Sequence, residues 1–481
     1  MTSEINIRSF SFIIIMIPFK EVAIADKNSE FRGVPPIELM ENAGKGLADV
    51  ISKRFPDKQV LFVCGTGNNG GDAYVAARYI SENISSENIT VFLIKGEENI
   101  RSEISRKNFK KLECEIIEKI DWSNYKDHLI VDALLGTGIK GEIREPYRTV
   151  MKRINDSGNP IISVDVPSGL SADLRVDPDM TVTFHDVKIG MNEDNCGEII
   201  IKDIGIPQKA IDYTGPGEML LYPKPKDDSH KGDNGNLLVV GGGPYTGAPA
   251  LAARAAYRTG ADLVHLAVPS EIKDVIAGYS ESFIVHPLEG KRLKKSHLNE
   301  IIEISKRCDA AVIGPGLGYD ENTLKAVKLL TERLDIPILI DADGLKAVSK
   351  YDIKYDNECI LTPHGGEFMK LCEDGEYPEN AVKYAEEHDV TLIVKGKEDL
   401  ITDGVRKKWN DFGNPAMTVG GTGDTLSGVI GALLSKGMDP YEAGRLGSYM
   451  TCRAGDIAFK SKKWGLLPED IAENIVDVLE S

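Results

Sequence analysis

Val63-Cys64-Gly65-Thr66-Gly67-Asn68-Asn69-Gly70-Gly71-Asp72 ends an apolar run at residues 59–64 in a glycine-rich turn, and a helical pattern from about Asp72 to Tyr79 follows. Apolar strand, tight turn and helix in succession form the repeating unit of a parallel, doubly wound sheet. Glycine brings the backbone close to an anion, and a helix N-terminus adds N–H donors and a favourable dipole. The spacing is neither that of the G-x-G-x-x-G fingerprint nor that of the phosphate-binding loop. A purely structural turn would use the same residue types, so this stretch speaks to the fold before it speaks to a ligand.

On either side the alternation continues. Pro35-Pro36 opens a helix through Phe55 with Leu39, Ala43, Leu47 and Val50 on one face, and strands are expected at residues 89–94, 128–134 and 160–166. The pattern loosens near Ile206-Pro207, and residues 213–217 and 223–229 form a polar, Pro/Gly-rich bridge of the kind that separates domains. It restarts with a strand at 236–240, a helix at 249–259 and a strand at 262–268, and further strands follow at 310–313, 337–340, 359–361 and 391–394. The expected fold class is α/β, with a Rossmann-like doubly wound domain over residues 16–215 and a second α/β domain over 225–481.

Composition narrows the function classes. The chain has 481 residues, of which 42% are hydrophobic, and 47 glycines add to the core-forming material, which excludes disorder and low complexity. With 57 basic and 75 acidic residues the net charge is −18, and both halves are acidic. Broad nucleic-acid binding, which needs basic surface to displace counterions, is not expected. The seven cysteines show no C-x-x-C pair, so they read as free thiols in a reducing compartment rather than a disulfide or zinc framework. The apolar run from Phe10 to Phe19 falls well short of the roughly 20 residues a membrane span needs. Met16 offers an alternative start, leaving 1–15 as an upstream extension, and a cytoplasmic protein with no membrane partner is expected.

Two further strand ends in the first half carry polar clusters. Asp132 precedes Ala133-Leu134-Leu135-Gly136-Thr137-Gly138, and Asp165 precedes Val166-Pro167-Ser168-Gly169. A lone Asp at a strand end is often a helix cap. Three such ends in one layer instead suggest a ligand, because open parallel sheets bind at the carboxyl ends of their strands. These three motifs together closely resemble the NAD(P)H-hydrate epimerase domain, over about residues 16–210. The resemblance implies that Asn68, Asn69, Gly70, Gly71 and Asp72, with Gly136, Thr137, Gly138, Ile139, Lys140, Gly141 and Glu142, line a pocket for the hydrated nucleotide. It also implies a potassium ion at Asn69, Asp132 and Ser168, and Asp165 as the catalytic proton-transfer residue that also touches substrate.

The strongest signal in the second half is Asn414-Pro415-Ala416-Met417-Thr418-Val419-Gly420-Gly421-Thr422-Gly423-Asp424, followed by a small, apolar helix through Leu434. Backbone N–H groups at such a helix start can hold phosphate oxygens, and an Asp there can take the proton of an attacking hydroxyl. The bland reading is an Asp N-cap behind a flexible loop. Gly314-Pro-Gly-Leu-Gly318, Asp341-Ala-Asp-Gly344 and Thr362-Pro-His-Gly-Gly-Glu367 each close a strand in the same layer. His364 there favours a ligand contact, whereas Lys395 fits either a phosphate contact or a solvated side chain.

These motifs, with His230-Lys-Gly-Asp-Asn-Gly235 and Gly247-Ala248-Pro249, are similar to those of the ADP-dependent NAD(P)H-hydrate dehydratases from about residue 225 onward. The similarity implies a ribokinase-like fold. It implies substrate contacts at Ala248, Gly316, His364 and Asp424, and ADP contacts at Lys395, Gly396, Lys397, Glu398, Asp399 and along Asn414 to Gly423. Asp424 would be the catalytic base, and Mg²⁺ would arrive with the phosphates. The function so implied is repair of hydrated NADH and NADPH. The R and S hydrates would be epimerised at C6, and the S epimer dehydrated at the expense of ADP to give AMP and phosphate. The alternative is a small-hydroxyl kinase, of vitamin or sugar type, with a nucleotide-binding scaffold at its N-terminus. Small-molecule substrates and a homo-oligomer are expected in either case.

Overall fold

The computed structural model describes residues 5–6, 16–82, 88–372 and 376–480, and the chain divides into two units, Met1–Ile211 and Asp212–Ser481. Most of the expected extension 1–15, with the start of its apolar run, lies outside the described residues.

The first unit has strands Ile5–Asn6 (β1), Val60–Cys64 (β2), Ile89–Leu93 (β3), Glu115–Ile117 (β4), Leu129–Ala133 (β5), Ile161–Val164 (β6), Met180–Phe184 (β7) and Glu198–Lys202 (β8). They form one sheet in the order β1-β8-β7-β6-β5-β2-β3-β4, parallel except for β1 on β8. The strands β2, β3, β5, β6 and β7 are buried at every residue, as strands covered by helices on both faces must be. β7 and β8 were not expected. β7 hides because Thr181 and Thr183 interrupt its apolar run, although both are fully buried and Thr181 Oγ1 donates to Cys196 O at 2.7 Å.

The helix expected from Asp72 begins four residues earlier, spanning Asn68–Ser81. Two Asn and two Gly are poor helix formers, and packing overrides them. A Cβ on Gly70 would stand 2.4 Å from the Gly65 carbonyl oxygen, and one on Gly71 2.5 Å from Ser105 Oγ. Only glycines let this first turn sit so tightly against its neighbours.

The second unit has strands Asn236–Val240 (β9), Leu263–Pro269 (β10), Ile284–Leu288 (β11), Ala310–Ile313 (β12), Ile338–Ile340 (β13), Cys359–Leu361 (β14), Thr391–Val394 (β15), Asp399–Thr402 (β16) and Lys407–Asn410 (β17). The sheet order is β11-β10-β9-β12-β13-β14-β15-β16-β17, parallel up to β15 and antiparallel for the last two. β11, β16 and β17 were not expected: β11 carries His286 and Pro287, β16 opens on Asp399 and has only two apolar residues, and β17 carries Lys407 and Lys408 where a buried strand would be apolar. The first part of the Pro/Gly-rich bridge packs on β17. There Thr214 N–H donates to Trp409 O at 2.7 Å, and the buried Lys408 and Glu218 pair at 2.6 Å.

In each sheet the chain reverses its direction of growth once, between β5 and β2 in the first unit and between β9 and β12 in the second. The loops leaving such a pair of strands diverge to opposite sides and leave a crevice. Close backbone approach at a glycine closes both crevices at their base. A Cβ on Gly65 would lie 1.8 Å from Leu134 O, and one on Gly241, after β9, 2.5 Å from Pro315 O, after β12.

Candidate active sites in the two units

At the β2/β5 crevice a cleft of about 750 Å³ is lined by Asn68 and Asn69 after β2 and by Gly136, Thr137, Gly138, Ile139, Lys140 and Glu142 after β5. Gly70, Gly71 and Asp72 do not line it: they are buried in the helix behind. Gly141 does not line it either, its positive φ of 81° turning the chain. Six lining residues had not been singled out, namely Lys95, Arg101, Ile143, Arg144, Glu145 and Tyr147. Lys95, Arg101 and Arg144 supply positive charge suited to phosphate, and they lie in the loops that leave β3 and β5.

Asp132, at the end of β5, is fully buried. Its carboxylate accepts from Ser168 Oγ at 2.6 Å, Ser163 Oγ at 2.8 Å, Ser168 N–H at 2.9 Å and Leu134 N–H at 3.3 Å. All four donors are neutral, and among the described residues no cation pairs with it. Burial accordingly raises its pKa, against the pull of those hydrogen bonds. Asn69 Nδ2 donates to Val164 O at 2.8 Å, which leaves its Oδ1 against Gly136.

Asp165 follows β6 in the left-handed region, φ 64°. Lys188 Nζ donates to Asp165 Oδ1, and also to Phe184 O at 2.7 Å and Thr183 Oγ1 at 2.8 Å. The Lys188 side chain is 1% exposed and that of Asp165 16%, so the pair is sealed on the lysine side and open on the other. Two more carboxyls sit in this field. Burial and then the Asp165 charge raise Asp26 to about 6, with Lys188 opposing, and burial and Asp165 raise Asp72 well above its ordinary value.

In the second unit a cleft of about 620 Å³ opens at the β9/β12 crevice and brings together Ala248, Gly316, Asp343, Gly420, Gly421 and Asp424. Asp424 is not an N-cap. Gly421, with φ 103°, holds the cap position of helix Thr422–Ser435, and Asp424 lies in the first turn. Burial, then the nearby Asp341 carboxylate, raise Asp424 to about 7, with Lys395 pulling the other way. Asp341 is the hub beneath it. Its buried carboxylate accepts from Lys395 Nζ at 2.8 Å, Thr362 Oγ1 at 2.7 Å and Ser427 Oγ. Burial would raise Asp341, yet Lys395 and the two hydroxyls outweigh it and hold the carboxyl below its usual range.

Lys395 is therefore not a solvated lysine. Its side chain is 21% exposed and its ammonium lies 3.4 Å from where a Cβ on Gly423 would stand, beneath the glycine cradle. His364 does not line the cleft. It caps helix Gly365–Leu371, with Nδ1 accepting from Gly366 N–H at 3.0 Å and Glu367 N–H at 3.3 Å, and its side chain is 60% exposed. Asp399 is buried, accepting from Gly396 N–H at 3.1 Å, so it shapes its turn. Asn414 likewise bonds Asp456 at 3.0 Å and Gly455 O at 3.3 Å, fixing the start of its loop.

Residues 36–190 match the family described as YjeF-related protein N-terminus, and residues 237–477 match NAD(P)H-hydrate dehydratase. The bifunctional NAD(P)H-hydrate repair enzyme Nnr of Archaeoglobus fulgidus is 39% identical over 471 residues, covering 96% of this chain and 97% of that protein. The enzyme of the same name from Pyrobaculum aerophilum is 38% identical over 493 residues, covering 95% and 97%. The chain belongs to the bifunctional NAD(P)H-hydrate repair enzymes. In fold, the second unit is like a ribokinase-like superfamily protein from Enterococcus faecalis, with a TM-score of 0.51 at 22% identity over 56% of this chain and 95% of that one. Membership in the repair-enzyme family sets aside the small-hydroxyl kinase with a scaffold domain. Lys188 had not been singled out, and Asp341 had been read only as the start of a strand-end motif. Each is buried and ion-paired to a partner distant in sequence, Asp165 and Lys395 respectively.

Proposed function

We propose that the first unit interconverts the R and S hydrates of NADH and NADPH at C6, and that the second dehydrates the S epimer with ADP. The observation that carries this reading is a carboxyl raised to about 7 at the start of a glycine-cradled helix, in the β9/β12 crevice. A general base works best with a pKa near the working pH. Asp424 takes the proton of the C6 hydroxyl as that oxygen attacks the β-phosphorus of ADP, and AMP leaves. The C6–O bond then breaks with phosphate taking the electron pair, pushed by the ring nitrogen. Loss of a proton from C5 restores the reduced nicotinamide. Water is a poor leaving group and phosphate a good one, so ADP drives the dehydration. The backbone of Gly420 to Gly423 and the Lys395 ammonium face the transferring phosphate, and Mg²⁺ bound with the nucleotide would neutralise part of its charge.

In the first unit Asp165 gives and takes the C6 hydroxyl proton as the hemiaminal opens to a planar carbon and closes on the other face. Lys188 holds that carboxylate from behind. A potassium ion fits beside Asn69, Asp132 and Ser168, because Asp132 is a buried carboxylate with neutral donors alone and hard cations take oxygen ligands. When bound, it would supply the missing positive charge and a template for substrate oxygens. The seven cysteines are free thiols, which supports placing the enzyme in the cytoplasm. The deciding experiment mixes the chain with both hydrate epimers, ADP and Mg²⁺. Reduced-nicotinamide absorbance should return from both epimers, and return from neither would refute the reading.

A further inference from the structure

The charged side chains lining the second-unit cleft are two carboxylates, Asp343 and Asp424. Such walls suit the uncharged dihydropyridine and its sugar. They do not suit the phosphates of a dinucleotide, which carry two negative charges in the pyrophosphate and about −1.5 to −2 more in a 2′-phosphate. Cations must be found elsewhere. Lys291-Arg292-Leu293-Lys294-Lys295 is a basic run in a chain of net charge −18, and it follows the carboxyl end of β11, in the layer where the other site loops lie.

Arg292, Lys294 and Lys295 line a groove of about 730 Å³ together with Lys325, Lys328 and one carboxylate, Asp320, which caps helix Glu321–Thr331 by accepting from Asn322 and Thr323 N–H. Lys325 and Lys328 are committed to Glu321 at 3.4 Å and Glu332 at 2.6 Å, and Lys291, outside the groove, to Glu271 at 3.7 Å. The other three cations of the run, Arg292, Lys294 and Lys295, have no ionic partner among the described residues. Gly318 stands between the groove and the cleft. A Cβ there would lie 2.6 Å from Pro244, which lines the cleft, and 3.2 Å from Arg292 Nη1. Tyr245 and Tyr319 flank this point with 61% and 68% exposure, offering faces on which a base can stack.

Building on the proposed function, we infer that Arg292, Lys294 and Lys295 hold the phosphates of the adenylate end of the hydrated dinucleotide, and so favour the form that carries a 2′-phosphate. The contact is one of binding and leaves the chemical step at Asp424 untouched.

The test uses the full chain and the combined variant Arg292→Gln, Lys294→Gln, Lys295→Gln, with Lys291→Gln as a charge control. Losing charge-assisted bonds to phosphate should raise KM for hydrated NADPH about tenfold or more. KM for hydrated NADH should rise less, and kcat and KM for ADP should stay within about twofold, since a binding contact acts on KM alone. Lys291→Gln should change nothing. A parallel measurement follows binding of adenosine 2′,5′-bisphosphate, which carries the phosphates without the reacting ring. It should bind the unaltered chain and be weakened by the combined variant and by added salt. Unchanged hydrate KM values, a rise in KM for ADP instead, or no binding of the bisphosphate would overturn the inference. If the unaltered chain repairs neither hydrate, the functional reading fails by itself, and the bisphosphate measurement still decides this one.

Discussion

Asp424 shows how a single side chain acquires a role from its surroundings. Burial and the charge of Asp341 bring it to about 7, so it gains the deprotonated form that a base needs as pH rises through neutrality. The dehydration kcat should therefore climb with pH across an apparent pKa near 7, which a pH–rate profile would show. Asp424→Asn should leave ADP binding in place and cost about 10²–10⁴-fold in dehydration rate. Chromatography of both epimers with ADP would then show interconversion without recovery of NADH; undiminished recovery would assign the base elsewhere. Asp165 is tested in the same spirit. Asp165→Asn keeps the shape and much of the hydrogen bonding to Lys188 but removes the base, so substrate should still bind while epimerisation falls sharply.

The helix that carries Asp424 depends on a glycine for its position. Thr422–Ser435 packs against Gly247–Arg258 so closely that a Cβ on Gly428 would stand 2.0 Å from the Ala252 carbonyl oxygen. That atom is backbone and cannot swing aside, so the two helices would have to part. Gly428→Ala should destabilise the second unit by about 1–3 kcal/mol, the usual cost of overpacking. It should also lower dehydration, because Ala248 and Asp424 sit on the two displaced helices. Denaturant melting of the variant beside its two activities would check this. A normal melting midpoint would mean that the helices are not so tightly held.

The two units predict two separable activities. Replacing potassium by lithium, or Asp132 by Ala, should impair epimerisation while the ADP-dependent reaction on the S epimer proceeds almost unchanged. Equal loss of both activities in a folded Asp132→Ala variant would argue against separate sites. Stability should also respond to pH in a defined sense. Asp26 and Asp424 bind protons more tightly folded than unfolded, so their contribution is complete at low pH and is lost as pH rises through about 6 and about 7. Denaturant midpoints of the ligand-free enzyme should fall across this range, and less steeply in Asp424→Asn.

Much of this molecule could be read from its sequence because the signals are local. Continuous apolar runs marked the buried central strands, and glycine clusters at their ends marked the loops, since each reflects the needs of a few adjacent residues. The strands at Met180–Phe184 and Lys407–Asn410 could not be found that way, because their polar side chains are satisfied by partners distant in the chain. The same holds for individual site residues. His364, read as a ligand contact, also caps the helix Gly365–Leu371, and Lys395, which fitted two readings, is tied to Asp341 only by the fold. Strand order, and with it the two crevices, is a property of pairing between remote segments, which no local pattern encodes. Local sequence was enough for the central buried strands, the helices that follow them and the chemistry-bearing loops. Tertiary structure alone decided which loops meet, which carboxyls share a field, and hence which of them titrate near neutrality, because electrostatic coupling and burial depend on distance in space.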